Sequence, residues 1–389
     1  MTVSGWDAVV GQRAAARILR QALTRDEVAH AWLMSGPAGV GQTALVRAIA
    51  MALNCPQPTQ TDAGCSSCDT CKRIARGVHP ALVELEPEGA FHVVDAVRGD
   101  WIPTATRSLT EGRRRIMYVA SADRMNIAAQ NAFLKILEEP PASVVWILDV
   151  QDEGMLLDTV ASRCRKLALV PWGPDDLAQF ASQLEVADEH IDTIVRAALG
   201  SPQRLRDLAD PDVAVARLRN LEIIERLAVN GPGDVVPVAK ELAAWAKSRA
   251  EVLKERHRTE MERLEESFGV DNGRGWPAGI KSRLTKRFER LERQERRRAL
   301  DMILDDIGSW LRDLLLVQSS TLETSIVNID RLDELRRDAP RLTPGDLVQC
   351  LQAVATCRDA LDKNGNPDLQ LERLLLSLAL PIYARRAAA

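Results

Sequence analysis

Aromatic side chains are scarce in this 389-residue chain, at 4%. Repeated stacking on exposed nucleobases is therefore not what the composition favours. Charge of one sign is also lacking: 51 Lys and Arg face 55 Asp and Glu, a formal net charge of −4. That balance argues against a general nucleic-acid coat while leaving room for a local basic face. No apolar run approaches the ~20 residues needed to cross a bilayer, and no basic-then-apolar signal pattern opens the chain. The expectation is a cytoplasmic protein with no membrane partner. Cysteine is sparse too, but four of the seven crowd between Cys55 and Cys71. In a reducing compartment such a cluster reads as metal before disulfide.

The composition is that of an ordinary globular protein, with 46% hydrophobic and 27% charged residues. At roughly 150 residues per domain, the length suggests two or three domains. The central stretch is Gly36-Pro37-Ala38-Gly39-Val40-Gly41-Gln42-Thr43, between the apolar run 30–35 and a helical pattern over Ala44 to Leu53. This is the strand–loop–helix setting of a phosphate-binding P-loop, in which glycines let backbone N–H groups surround phosphates at a helix N-terminus. Gly36, Gly39, Gly41 and Thr43 are present, but Gln42 stands where the lysine reaches the β- and γ-phosphates. Glutamine is shorter and neutral, so the loop has lost its main charge.

Further strands are expected at 81–85, 115–119, 144–148 and 167–170, with helices at 14–23, 93–107 (broken at Pro103) and 128–138. Strands alternating with helices over the first ~170 residues indicate a doubly wound α/β sheet. After Pro171-Trp172-Gly173-Pro174 nearly everything has helical period, with breaks at Gly200-Ser201-Pro202, Gly231-Pro232-Gly233, Gly269 to Gly279 and Pro340 to Pro344. The segment Lys247 to Arg298 is dense in alternating charge, including Arg283, Lys286, Arg287, Arg290 and Arg293. Such a run is most often the solvated face of long helices; contact with DNA or a partner is the alternative. The same two readings hold for Arg113-Arg114-Arg115 ahead of a strand.

Cys55, Cys65, Cys68 and Cys71 form a C-x9-C-x2-C-x2-C arrangement. Four thiolates close a tetrahedral zinc shell and leave no position open for catalysis. The tight C-x2-C-x2-C spacing also suits iron–sulfur ligation, so spacing alone leaves the metal open. His79 is a spare nitrogen ligand nearby.

These features share one order with Val10-Gly11-Gln12, the 131–141 stretch Asn-Ala-Phe-Leu-Lys-Ile-Leu-Glu-Glu-Pro-Pro, and Ser162-Arg163-Cys164. Together they resemble the AAA+ clamp-loader family of bacterial DNA polymerase III over residues 5 to 210; beyond that, only position suggests a collar-like helical domain. The resemblance implies an AAA+ P-loop-like α/β domain over 1–172 with a zinc-binding insertion at about 55–79. A small helical lid over 173–212 and an all-helical collar or oligomerisation domain over 213–389 would follow. It favours structural zinc on the four cysteines. By register with the family, the third strand would end in two acidic residues that hold magnesium and polarise water; here these positions are Ala120 and Ser121. In the lid, the family's sensor arginine corresponds to Gln203, with Arg204 displaced by one. Asn131 and Lys135 sit on a helix inside a family motif, where the choice lies between nucleotide or DNA contact and plain helix surface.

Arg163 has the opposite character. In the family, the arginine of Ser-Arg-Cys reaches the γ-phosphate held by a neighbouring subunit, and Arg165 is the nearest decoy. The expectation is thus a non-hydrolysing subunit that neither hydrolyses ATP nor binds it tightly, and supplies Arg163 as an arginine finger in trans. Its partners would be the ATPase subunits and the wrench-type subunit of a clamp loader. Through them it would meet the sliding clamp and primer-template DNA. The alternatives are an ATP-hydrolysing motor subunit and a stand-alone zinc-containing DNA-binding protein.

Overall fold

The computed structural model describes residues 5–58, 62–87, 91–184, 186–268, 280–319 and 325–388. The expected helix break from Gly269 to Gly279 lies outside them, as do residues 59–61 of the cysteine-rich insertion. The chain divides into two compact units, Met1–Ala209 and Asp210–Ala389.

The first unit is built on five parallel strands: β1 (Ala31–Ser35), β2 (Leu82–Leu85), β3 (Arg115–Val119), β4 (Val144–Val150) and β5 (Arg165–Ala168). Their spatial order is β2-β3-β4-β1-β5. The inner strands β3 and β4 are continuous apolar runs because helices cover both faces of the sheet. Successive side chains alternate between those faces. Trp32, Met34, Ile116 and Ile147 share one core with Leu45, Ile49 and Leu19. Leu33, Met117, Trp146 and Leu148 share the other with Trp101, Phe133 and Leu137. Several of the few aromatics are spent here: Trp101, Phe133 and Trp146 meet edge to face with centroids 5.9 and 4.8 Å apart.

Three local expectations are corrected. The edge strand β5 starts and ends two residues earlier than the apolar pattern suggested, because pairing of Trp32–Ser35 with Arg165–Ala168 sets its register. Strand β4 extends two residues beyond Leu148, paired with β1 as far as Val150. The backbone does not break at Pro103; a π-helical turn, Val97–Trp101, leads into the helix Ile102–Thr106. Proline has no N–H for the turn before it, and the π-helical turn stands directly ahead of it, where the regular hydrogen-bond ladder is already interrupted.

Three helices follow β5 within the first unit: Pro174–Gln183, Asp188–Ala197 and Pro202–Leu208. The regular elements among the second unit's described residues are all helices, centred on two long ones, Val235–Phe268 and Ile280–Gln318. Its core includes Trp310, Leu311, Leu314, Leu374 and Leu378. Many charges of the 247–298 segment pair with one another: Arg249 with Glu295 at 3.3 Å and His257 with Glu292 at 2.9 Å. No helix among the described residues is long and apolar enough to cross a membrane.

Candidate functional site

The glycine loop follows β1 and ends at the N-terminus of the helix Gln42–Asn54. Gly39 and Gly41 adopt φ of 77° and 121°, the left-handed region that glycine enters without a Cβ penalty. Gly36 is required by space, since a Cβ there would stand 2.5 Å from the Leu169 carbonyl oxygen. Gln12 and Trp172 hold the loop from outside. Gln12 Nε2 donates to the Val40 carbonyl at 3.0 Å, and Trp172 Nε1 donates to the same oxygen at 2.8 Å.

Gln42 does not reach outward. It is buried, its Nε2 donates to the Pro37 carbonyl at 2.7 Å, and its Oε1 accepts from the Val40 N–H at 3.1 Å. Thr43, next to it, is exposed. At the end of β3, Ala120 accepts a 2.8 Å bond from Nε2 of His92, and Ser121 takes a left-handed conformation. Burial lowers the pKa of His92 to about 4, so the ring is neutral and carries its proton on Nε2. Neither Ala120 nor Ser121 offers a carboxylate.

The carboxylates nearby come from elsewhere. Asp123 accepts from the Gln151 N–H at 3.4 Å, and desolvation raises its pKa. Asp149, which the sequence reading missed, is half-buried on β4 opposite Met34 of β1 and accepts from the Tyr118 hydroxyl at 3.0 Å. Desolvation pushes its pKa up to about 7 against the bonds from Tyr118 and Gln42. It is the lone acid in the run Val144–Val150, which is the only hint the sequence offered. Gln203 lies against the loop, 3.2 Å from where a Gly39 Cβ would be. Arg204 turns the other way and donates from Nε to the Ala197 carbonyl at 2.7 Å.

Arg163 follows the short helix Asp158–Ala161. Its Nη1 donates to the Thr159 carbonyl at 2.8 Å and its Nη2 to Glu138 Oε1 at 2.7 Å, with 36% of the side chain exposed. Of its neighbours, Ser162 and Arg165 are exposed and Cys164 is not. Cys164 is buried, which pushes its pKa up to about 12, and the Arg165 guanidinium lies 5.0 Å from the Trp32 ring centroid. Asn131 and Lys135 are exposed on the helix Ile127–Glu138.

The sulfur atoms of Cys55, Cys65, Cys68 and Cys71 lie within 4.8 Å of one another, although their residues span a helix end, a loop and the helix Asp69–Ala75. Cys55 Sγ and Cys68 Sγ are 4.0 Å apart. A tetrahedral shell with Zn–S near 2.3 Å demands S–S separations of about 3.8 Å, so the donor set fits such an ion. Backbone N–H groups of Cys65, Cys68 and Cys71 point at the sulfurs of Cys55, Cys65 and Cys68 at 3.3–3.4 Å, which stabilises thiolates. His79 stands outside this group: its Nδ1 accepts from the Ala81 N–H and its Nε2 lies 3.2 Å from Glu111.

In the basic run 113–115, Arg115 departs from both readings, while Arg113 is exposed and Arg114 half-buried. Arg115 is buried and its Nη1 donates to the carbonyls of Thr104 and Arg107, at the end of the helix Ile102–Thr106. Arg113 reaches the Cys55 carbonyl at 2.7 Å, and Arg114 the Ala142 carbonyl at 3.2 Å. These guanidiniums satisfy backbone oxygens.

A family model described as DNA polymerase III, delta subunit, matches residues 11–172, and one described as the C terminal of that subunit matches residues 288–379. This chain belongs to the DNA polymerase III delta and delta-prime family of AAA+ clamp-loader proteins. It is 34% identical to DNA polymerase III subunit delta' of Pseudomonas aeruginosa over 207 residues, covering 52% of this chain and 62% of that protein. Against the Bacillus subtilis delta' subunit, identity is 25% over 93% of this chain and 94% of the relative. The gamma/tau subunit of Mycobacterium tuberculosis is 27% identical over 96% of this chain and 60% of its own length. The chain spans less than two thirds of the first curated relatives that it matches. A solved DNA polymerase III gamma subunit-related protein from Thermotoga maritima superposes with a TM-score of 0.38 at 14% identity, over 96% of this chain and 99% of that one.

Proposed function

We propose that this chain is a non-hydrolysing, delta-prime-type subunit of a DNA polymerase III clamp loader, acting in DNA replication in the cytoplasm. The observation that carries this reading is the end of β3. Ala120 and Ser121 occupy the positions from which this family's carboxylates hold magnesium and orient water, and Gln42 stands in place of the loop lysine. Without those groups the loop has nothing with which to balance a transferring phosphoryl group.

What the chain retains is a cation that it can lend. Arg163 is partly exposed and held by one exposed carboxylate, Glu138, a type of contact worth only ~0–1 kcal/mol. Its planar guanidinium stays charged and engages phosphate oxygens in a fork. In the assembly, Arg163 would leave Glu138 for the γ-phosphate in a neighbouring ATPase subunit. There an arginine finger is worth ~10³–10⁵ in rate in the best-studied NTPases. The first ~172 residues act as the AAA+ domain, the helices to about 212 as a lid, and the rest as the collar that joins the ring. The ring would open the sliding clamp and set it on primed DNA. The four cysteines hold one structural zinc ion, which fixes an insertion and supplies folding free energy.

The test is a reconstituted clamp loader carrying Arg163→Ala. The complex should assemble but lose most of its ATPase and clamp loading; unchanged ATPase removes the finger. Metal analysis of the same sample should find one zinc per chain, and a chelator should lower the melting temperature. The similarity to gamma/tau over most of this chain favours a second reading, a motor subunit. Under that reading the pure chain would hydrolyse ATP and lose the activity on Thr43→Ala.

A further inference from the structure

A phosphate entering a P-loop needs backbone N–H groups free to donate and a cation to balance its charge. Here a loop side chain occupies one of those donors, and no residue of the loop carries a positive charge. The Val40 N–H donates to Gln42 Oε1, and Gln42 Nε2 donates across the loop to the Pro37 carbonyl. The carboxamide therefore bridges two points of the loop backbone and is itself only 5% exposed. The Asp149 carboxyl, whose raised pKa Gln42 helps to lower, accepts from the Tyr118 hydroxyl at 3.0 Å. Tyr118 is anchored in β3 and Asp149 in β4, neighbouring strands of the rigid sheet. An arriving polyphosphate must displace Gln42 from Val40 and then either face a carboxylate or protonate it.

We infer that Gln42, Asp149 and Tyr118 form an internal plug that occupies the Val40 donor of the loop and rejects nucleoside triphosphates. This rests on the proposed non-hydrolysing role and adds which residues close the loop. The plug explains why one substitution would not reopen it: a lysine at 42 would meet Asp149 and be captured as an ion pair. Reopening requires both positions to change.

The test uses the full chain as wild type, Gln42→Lys, Asp149→Asn and the double variant, titrated with Mg-ATP while ATP turnover is followed separately. Wild type and Gln42→Lys should show no saturable binding up to millimolar ATP. The double variant should bind roughly thirtyfold tighter than either single variant, a coupling expected for electrostatic neighbours. Gln42→Lys binding as tightly as the double variant, or wild type binding at micromolar ATP without turnover, would overturn the plug alone. Turnover by wild type would instead overturn the proposed role. Should the double variant not fold, hydrogen exchange at the Val40 amide decides. It should speed at least about tenfold in Gln42→Ala, as expected when a protecting bond is lost; an unchanged rate overturns the plug.

Discussion

Two ends of the same sheet treat their polar groups in opposite ways. At the glycine loop, donors and acceptors are turned inward: Gln42 bonds its own loop, Gln12 and Trp172 cap Val40, and Tyr118 holds Asp149. At the end of the helix Asp158–Ala161, Arg163 stays partly in solvent, with one exposed carboxylate and one carbonyl as partners. An inward-facing polar set stabilises a fixed structure, whereas an outward-facing charge with a weak partner is free to exchange it. The difference is the one the proposed role requires, with one phosphate-handling feature turned into architecture and another left available to a neighbour.

The sharpest way to break this comparison is to remove each end in an assembled complex. Arg163→Ala should slow ATP hydrolysis at the neighbouring site by ~10³ or more, while Thr43→Ala leaves the rate unchanged. Equal effects would erase the distinction. Gly36→Ala should act on stability instead. Its Cβ would press on the Leu169 backbone, and unfolding in denaturant should show a loss of ~1–3 kcal/mol.

A subtler effect follows from Asp149. Its carboxyl takes up a proton near pH 7 when folded, against the ordinary aspartate value of 3.8 once the chain unfolds. The folded chain therefore holds more protons in between, and this group's contribution to stability falls as pH rises from about 4 to about 7. Melting curves of Asp149→Asn should lose that slope and lie a few degrees above wild type at pH 8, with the advantage gone near pH 4. The smallest effect belongs to Glu138→Gln. Freeing Arg163 should change stability by less than about 0.5 kcal/mol and leave assembled ATPase at or above wild type. A strong loss of ATPase would give Glu138 a role beyond holding the arginine.

Much of this was legible in the residues. The strand, glycine loop and helix around 36–43 followed from composition and period, and four closely spaced cysteines indicated a metal-ligating group that the fold brings within 4.8 Å. The edge strand β5 was harder, because its limits depend on pairing with β1 and not on its own apolar pattern. Arg115 read as part of a charged run, yet its guanidinium serves carbonyls around residue 105 that no local pattern announces. Asp149 stood out only as an acid in an apolar run. Its meaning required Tyr118 and Gln42 to converge from 31 and 107 residues away.

The amino-acid order alone determined which groups the chain owns and lacks: no lysine at 42, no carboxylate at 120 or 121, an arginine at 163 and four clustered thiols. Only the tertiary structure decided how these groups are placed: Gln42 closed upon the loop, Asp149 half-buried and bonded to Tyr118, and Arg163 left at the surface. The reason is physical. The presence of a charge is a property of one residue, but its solvation and partners depend on sub-ångström placement of atoms brought together from distant parts of the chain.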